Sequence, residues 1–563
     1  MTQFSSINRS KYLEEMEANS LDLLVIGGGI TGTGIALDAQ VRGLKTGLIE
    51  MQDFAAGTSS RSTKLVHGGL RYLKQFEVKL VAEVGKERAI VYENAPHVTT
   101  PVWMMLPIIE NGTFGKFSTS IGLKVYDYLA GVKKVERRKM LNKTNSIERE
   151  PLLREQGLKG SGVYVEYRTD DARLTLEVMK EAVNRGVLAA NYTKAEEFIY
   201  NKGKIVGAHI QDLLTGEKRK IYAKKIVNAA GPWVDTLREK DKSKKGKYLH
   251  LTKGVHLVID SSRFPLKEAV YFDTPFKDGR MMFAIPRDNK AYVGTTDTNY
   301  KGSISHPRMT VEDRDYILKA TNYMFPNLNL TTNDVESSWV GLRPLIHEEG
   351  KDPSEISRKD EIFVSPSGLV TIAGGKLTGY RKMAEGVVNL VLEELRGKNY
   401  AACTTDRIVL SGGDVGGSNQ YPTFVKEQVQ KGINLGLTEE EATKLVKRYG
   451  SNISALYEVI KHSGHEAETA GLSLEVYASL IYGIEQEMVG TLSDFFIRRT
   501  SALFFDINWV IKWKEPVTKY MATIFSWSLE EEQRFRDELE KHIYDATVPV
   551  EYDEDEHPHA KSV

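Results

Sequence analysis

The apolar and polar positions of the first fifty residues alternate in the manner of a βαβ unit. LDLLVIGGG (21–29) is a near-continuous apolar run ending in glycines, the pattern of a fully buried parallel strand. ITGTGIALDAQVRGL (30–44) follows with helical spacing, and KTGLIE (45–50) is a second short apolar run. The unit sets the fold class as α/β with a parallel sheet. Residues 8–19 read as a short helix before it. FAAGTSSRSTKLVHGGLRYL (54–73), after it, is too rich in small polar residues to be one regular element. Helical spacing returns over 76–94 and 172–185.

Farther along, KIVGAHIQDLLTGEKRKIYA predicts a hairpin closed by TGE, and KKIVNAAG (224–231) another buried strand ending in glycine. Residues 250–346 carry the two-residue period of strands in HLVID, AVYFDTP, RMMFAIP, AYVGTT and SSWVGLRPLI, with a helix at 311–325. They predict a second, mostly antiparallel sheet. LVTIAGG (369–375) is one more buried strand, followed by a long helix that the pattern starts at Lys376. Separated segments therefore return to one sheet. The expected division is a discontinuous nucleotide-binding domain of 1–75, 160–240 and 345–400, and a substrate-binding domain of 76–159 and 241–344. Residues 401–548 form a C-terminal helical domain, and 549–563 an acidic, disordered tail. SGGDVGGSN (411–419) reads as a linker, Thr438–Glu441 as a capping box, and Asp170 and Asp171 as a helix N-cap rather than a catalytic pair.

Composition narrows the function classes. The 563 residues suit three to four domains. Lys+Arg and Asp+Glu are 76 each, a net charge of zero that argues against a general nucleic-acid partner. Cys403 is the sole cysteine, so an intramolecular disulfide and a thiolate-rich metal site are excluded; no histidines have metal-ligand spacing, and no metal is expected. A reducing, cytoplasmic setting fits this usage. The polar N-terminus lacks an apolar core segment, and no stretch approaches 18 uncharged apolar residues, so neither a secretory signal nor a membrane span is expected. The basic runs KKVERRK (133–139) and KSKKGK (242–247) are solvated loops, with contact to anionic lipid as the functional alternative.

The strongest motif is GGGITG, with Gly27, Gly29 and Gly32 in G-x-G-x-x-G positions between strand and helix, and Glu50 ending the second strand. Gly27 permits the tight turn, Gly29 lets backbone approach a pyrophosphate, Gly32 allows close helix–strand packing, and Glu50 accepts ribose hydroxyls. Glu50 disfavours a 2′-phosphate without separating NAD from FAD. The return of distant strands to the same sheet, each ending in glycine, suits a flavin held by several segments. GGKLTG (374–379) offers exposed N–H groups, a positive helix end and Lys376 toward such a flavin. His67 and Arg71–Tyr72 in HGGLRYL, Arg343 in GLRPL, and Lys253 with His256 in TKGVHLVI are the remaining candidates; an arginine pair plus a lysine suits a phosphate dianion. Taken singly, each of these is an ordinary surface salt-bridge residue.

Together DLLVIGGGITGTGIALDA, TSSRSTKLVHGGLRYL, DDARL, NAAGPWVD, GTTDT, GLRPL and GGKLTGYRKMAE resemble the FAD-dependent (aerobic) glycerol-3-phosphate dehydrogenases, and the likeness continues through RYGS (448–451) and LSDFFIRRT (492–500). The resemblance implies an FAD domain of the glutathione-reductase/amine-oxidase type, a β-rich substrate domain and a C-terminal helical cap. It also implies oxidation of sn-glycerol 3-phosphate to dihydroxyacetone phosphate, with electrons passing to a membrane quinone. Arg71, Tyr72, Arg343 and Lys376 would line the substrate pocket; His256, and after it His67, would be the base, with Arg343 beside it. FAD would meet Gly27, Gly29, Gly32, Glu50, Thr58, Ser59, Ser60, Gly231, Gly374, Gly375, Lys376, Leu377 and Thr378. A cytoplasmic protein with peripheral contact on the inner membrane face follows, and a homodimer is left open. The alternatives are an oxidase that uses O₂, an amine or amino-acid oxidase, and a non-catalytic flavin-binding regulator. The short distance from GLRPL to GGKLT favours the dehydrogenase, since such oxidases tend to carry an insertion there.

Overall fold

The computed structural model describes residues 4–67, 78–110, 112, 115, 119–120, 122–125, 136–276, 278–350, 359–395 and 399–552. Its first sheet runs, in spatial order, Glu361–Val364, Leu369–Ala373, Lys218–Asn228, Leu21–Ile26, Thr46–Ile49 and Leu188–Ala190. All joins are parallel except the outermost, between Glu361–Val364 and Leu369–Ala373. Leu21–Ile26 is central because its side chains are buried on both faces, which a strand needs when helices cover both sides. The expected hairpin forms between Lys204–Asp212 and Lys218–Asn228. Its second arm does not end there: the same strand continues into the parallel ladder beside Leu21–Ile26, so the hairpin arm and the predicted buried strand are one element.

Among the described residues the second sheet has ten strands, with Lys247–Asp260 and Val335–Glu348 as its longest antiparallel pair. Two assignments differ from the sequence division. The sequence division puts Leu65–Val66 and, from residue 160 on, Leu158–Thr169 in the first domain, yet these strands pair with each other, and Leu158–Thr169 also pairs with Thr99–Ile109, in the second sheet. Their alternating pattern carries no label for which sheet they join; only the long-range partner decides. The helix read from Lys376 begins at Tyr380, after a single 3₁₀ turn at Leu377–Gly379. The glycine-rich 411–419 segment is no loose tether: Leu410 N–H donates to Asn94 O, Ser451 N–H to Gly412 O, and Ser418 Oγ to Glu93. The Thr438–Glu441 capping box and the Asp170 N-cap form as expected. Residues 553–563 of the acidic tail lie outside the described residues.

From Tyr421 to Thr547 the chain is mostly helical, with its own apolar clusters, one around Leu445, Tyr449 and Leu456 and one around Val489, Phe495 and Val517. This region is tied to the first sheet by buried charge. A π-helical turn at Asp494–Arg499 aims two successive arginines at one carboxylate, Asp53, just past the Thr46–Ile49 strand: Arg499 Nη1 lies 2.5 Å from Asp53 Oδ2, and Arg498 Nε bonds the same oxygen. Burial pushes the Asp53 carboxyl up, but Arg499 and Arg498 outweigh it and hold the group at about 2. Nearby, Glu487 binds Arg173 and Lys180 of the helix Asp171–Asn184. Removing one partner from such a pair leaves a buried charge without compensation.

Asp53→Ala should therefore destabilise docking of the C-terminal helices by about 3–5 kcal/mol, read as a lower urea midpoint and faster proteolysis near 400–420. The pH dependence has a fixed sign. With a folded value near 2 against the ordinary 3.8, the contribution is complete above the ordinary value and lost as pH falls toward the folded one. Urea midpoints of wild type and Asp53→Ala should converge in acid; a constant gap down to pH 2 would refute the assignment.

Candidate active site

The first cavity opens at the C-terminal ends of the parallel strands, where open α/β sheets bind ligands. It is solvent-connected, about 1320 Å3, and its walls include Gly27, Gly29, Glu50, Thr58, Ser59, Thr193–Ala195, Gly231, Trp233 and Gly374–Leu377. Local sequence explains the shape. Gly27 sits at φ +121°, and Gly32 has no room for a side chain: a Cβ there would stand 1.9 Å from Gly27 O. The helix Ile30–Val41 thus starts hard against the strand end, with its N-terminus toward the cavity. Ser59 Oγ accepts from Ile30 N–H at 2.9 Å, stapling the Ser/Thr loop to that helix end. Glu50 accepts from Gly28 N–H at 2.6 Å and Gln52 N–H at 2.8 Å, which fixes its carboxylate on the wall while burial raises its pKa.

A second cavity of about 1670 Å3 adjoins the first, sharing Thr58, Ser62, Pro344 and Gly375–Leu377. Its floor is the face of the Lys247–Asp260/Val335–Glu348 pair that carries Gly254, His256, Gly341 and Arg343. Two glycines let two long side chains lie flat on this sheet. A Cβ on Gly254 would meet Arg343 Nη2 at 2.4 Å, and one on Gly294 would meet His256 Cδ2 at 2.3 Å. Arg343 reaches across to Asp297 Oδ1 (3.0 Å), Thr295 Oγ1 (3.1 Å) and Thr296 O (3.2 Å), and Arg280 Nη2 reaches Asp297 O at 2.7 Å. Two guanidiniums thereby converge on the Thr295–Asp297 turn.

His256 is 2% exposed, with Nε2 3.1 Å from Thr63 Oγ1. Burial, then the positive charges of Arg343 and Lys64, hold its pKa well below the usual 6.5, so the ring is neutral near pH 7. His67 is also neutral, pushed to about 3 by burial, Lys376 and Arg88. Its backbone exchanges hydrogen bonds with Thr378 Oγ1, at 3.1 and 3.2 Å.

The structure brings together most of the residues singled out from sequence. Gly27, Gly29, Glu50, Thr58, Ser59, Gly231 and Gly374–Leu377 line the first cavity; His67, His256, Arg343, Lys376 and Thr378 line the second. Ser60 is buried off both cavities, Thr378 is engaged by His67, and Gly32 acts through packing alone. Arg71 and Tyr72 lie outside the described residues. Lys253 is a correction: two-residue alternation turns it to the opposite sheet face, where it pairs with Asp313 at 2.8 Å. Asp171, read as part of an N-cap, instead binds Lys64 Nζ at 2.6 Å and Ser62 Oγ at 2.7 Å. Sequence reasoning missed Thr63, Arg280, Thr295, Asp297, Tyr271 and Phe283. GTTDT held the only available signal, a glycine followed by hydroxyls and a carboxylate.

The FAD dependent oxidoreductase family matches residues 22–381, and the C-terminal domain of alpha-glycerophosphate oxidase matches residues 403–532. The chain belongs to the FAD-dependent oxidoreductases, in the branch that contains the aerobic glycerol-3-phosphate dehydrogenases. It is 61% identical over 98% of its length to the aerobic glycerol-3-phosphate dehydrogenase of Bacillus subtilis (strain 168), covering 99% of that protein. It is 55% identical over 96% of its length to the enzyme of that name from Staphylococcus aureus (strain MRSA252), covering 98% of it. Among solved structures, the glycerol-3-phosphate dehydrogenase from Bacillus halodurans complexed with FAD is similar, at 56% identity and a TM-score of 0.85, covering 97% of this chain and 99% of that one. The fold is accordingly a Rossmann-like FAD domain with a β-rich second sheet and a C-terminal helical domain. The first cavity fits the family's cofactor: it has a helix N-terminus and side-chain-free approach at Gly27–Gly29 for a pyrophosphate, and a fixed carboxylate, Glu50, for ribose hydroxyls.

Gly32→Ala tests that fit. Its Cβ would force the helix start away from Gly27, so the purified variant should lack the flavin absorbance band and fail to regain it on incubation with FAD. A variant that is normally yellow would refute this account of the glycine motif.

Proposed function

We propose that this protein oxidises sn-glycerol 3-phosphate to dihydroxyacetone phosphate, with a membrane quinone as the final acceptor, in glycerol catabolism. One observation carries the reading: a neutral imidazole and an oriented guanidinium share one strand pair, in a cavity that meets the cofactor cavity at Gly375–Leu377. The naming of the relatives as aerobic glycerol-3-phosphate dehydrogenases supports it.

FAD, when bound, supplies the acceptor for the hydride leaving the substrate carbon. The residues do the rest. His256 takes the hydroxyl proton, for which its neutral state at pH 7 is required. Arg343 binds the phosphate through its planar fork; the turn Thr295–Asp297 already fixes its orientation, so little entropy is lost when the anion arrives. Arg71 and Tyr72, from the HGGLRY motif, are proposed to share this task. Lys376, common to both cavities, polarises the developing carbonyl and adds positive charge beside the flavin site.

His256→Gln should lower kcat by about a hundred- to ten-thousandfold with flavin retained, and His67→Gln by much less. Equal losses would move the base to His67. Arg343→Ala and Arg71→Ala should each cost about 2–5 kcal/mol in kcat/KM for glycerol 3-phosphate, with Arg→Lys restoring only part. Wild-type kcat/KM in both Ala variants would mean that the phosphate binds elsewhere.

The acceptor is tested separately. No helix among the described residues is long and apolar enough to cross a membrane, so contact with a lipid-borne quinone would be peripheral. Anaerobic turnover with a soluble quinone should match or exceed turnover in air, with no stoichiometric peroxide, and the protein should float with anionic liposomes at low salt. Peroxide formed mole for mole with product would make it an oxidase, the activity named in the C-terminal family match.

A further inference from the structure

The role of the C-terminal helices in such an enzyme is the open question, and the back of the His256 ring points to an answer. The imidazole lies flat on the sheet. Its Nε2 edge is held by Thr63 Oγ1, one flank lies over Gly294, Tyr292 meets it obliquely at 6.4 Å, and the indole of Trp339 stacks on it, at 4.7 Å between centroids and 9° between planes. Trp339 is the register partner of His256 on the neighbouring strand. It does not line either cavity.

Trp339 is in turn enclosed. Its Nε1–H donates to Ser62 O at 3.0 Å, and its ring faces Tyr292 at 5.5 Å, Phe504 at 5.6 Å and Phe505 at 5.5 Å. Lys64 Nζ stands 5.4 Å from its centroid while bound to Asp171. Phe504 and Phe505 belong to the C-terminal region, on the short helix Ala502–Phe505. That helix is tied down at both ends. Ser337 Oγ, on the strand that carries Trp339, donates to Phe504 O. The Arg287 guanidinium lies 4.0 Å over the Phe505 ring and pairs with Asp170, which also accepts from Ser501 Oγ.

We infer that the C-terminal helical region sets the orientation of the base: Phe504 and Phe505 clamp Trp339, and the flat face of Trp339 holds the His256 imidazole in line with the substrate cavity. Trp339 is thus a positioning residue and Phe505 its anchor. A misplaced base costs rate steeply, because the proton must leave as the hydride does. The inference rests on the reading of His256 as the base, and on a contact that exists whether or not that reading holds.

The experiment compares Trp339→Phe, Trp339→Leu, Phe505→Leu and the double variant Trp339→Leu/Phe505→Leu, each as the FAD-loaded full-length protein. Trp339→Phe keeps a flat face and should stay within about threefold of wild-type kcat, whereas Trp339→Leu should lose about tenfold or more, with KM for glycerol 3-phosphate and flavin content near normal. Phe505→Leu should lower kcat in the same direction by less. The double variant should be no worse than Trp339→Leu, since both act on one ring. A second readout does not depend on substrate: acylation of His256 by diethyl pyrocarbonate, followed by peptide mapping. Loss of the stack should speed His256 acylation by about fivefold or more in Trp339→Leu and leave Trp339→Phe near wild type. If Trp339→Leu does not fold, Phe505→Leu decides by the same two measures. Unchanged kcat and unchanged acylation would overturn the inference, as would lowered thermal stability with neither changed, the mark of packing alone. Faster acylation in a protein whose wild type does not turn over glycerol 3-phosphate would keep the contact and overturn the proposed substrate instead.

Discussion

The site depends on the register between two long antiparallel strands, Lys247–Asp260 and Val335–Glu348. With Thr252 opposite Arg343, Gly254 opposite Gly341 and His256 opposite Trp339, these residues share one face of the strand pair, and Gly254, His256, Gly341 and Arg343 of that face line the second cavity. A slip of one residue would exchange that face for Lys253, Val255 and Val340, which belong to the second sheet's core or to a buried ion pair. The register is fixed from behind by Val255, Leu257 and Val340 packing with the helix Val311–Met324, where Ile317, Leu318 and Met324 are buried. Chemistry on the front is therefore held in place by apolar burial on the back. That division is robust, because the front is left with little packing to do and can afford glycines at 254, 294 and 341.

What was legible in the sequence was what local pattern controls. The strand, the glycine turn and the helix at 21–44 follow from an apolar run, residues with φ > 0 and helical spacing within a single window, and the structure keeps them within a few residues. The Asp170 cap and the Thr438 box are of the same kind. Several family motifs line the two cavities: GGGITG and GGKLTG follow strand ends, and GLRPL lies within the strand Val335–Glu348. What was not legible depended on partners far along the chain. Lys253 and His256 looked alike as basic residues in one segment, and three positions of separation on a strand put them on opposite faces. Asp171 met Lys64 across more than a hundred residues, and Leu158–Thr169 joined the second sheet through a pairing that no local pattern encodes. Trp339 carries no signal of its own in SSWVGLRPLI, because its significance lies in what stacks on it.

The links to the C-terminal helices show the same separation between strength and specificity. Asp53 with Arg498 and Arg499, and Glu487 with Arg173 and Lys180, are buried, and the cost of stripping water from these groups offsets much of their attraction. Apolar contacts would hold the helices as firmly. Buried charge instead penalises every other docking position, because a shift leaves a carboxylate or guanidinium without a partner in a dry interface. The location of Asp53 matters in this respect. It lies three residues beyond Glu50, so the C-terminal helices are fixed to the loop that frames the cofactor cavity rather than to a distant surface.

The distribution of charge across the second cavity follows one logic. The proposed dianionic substrate calls for cations, and Arg343, Arg280 and Lys376 line the cavity. A base in the same space must be neutral, or it has no lone pair to use. These demands are compatible because Arg343, a cation of this cavity, also disfavours protonation of the nearby imidazole, adding with Lys64 to the burial that holds His256 unprotonated. On the proposed reading, Arg343 would both bind the anion and prepare the base for it. An added carboxylate near the imidazole would disturb both at once, by pulling the ring toward its charged form and repelling the phosphate. The carboxylates here are accordingly paired: Asp297 with Arg343, Glu166 with Arg88 and Asp171 with Lys64. The negative groups of the site are spent on orienting its cations, and the histidine is left as the neutral member of a positively charged pocket.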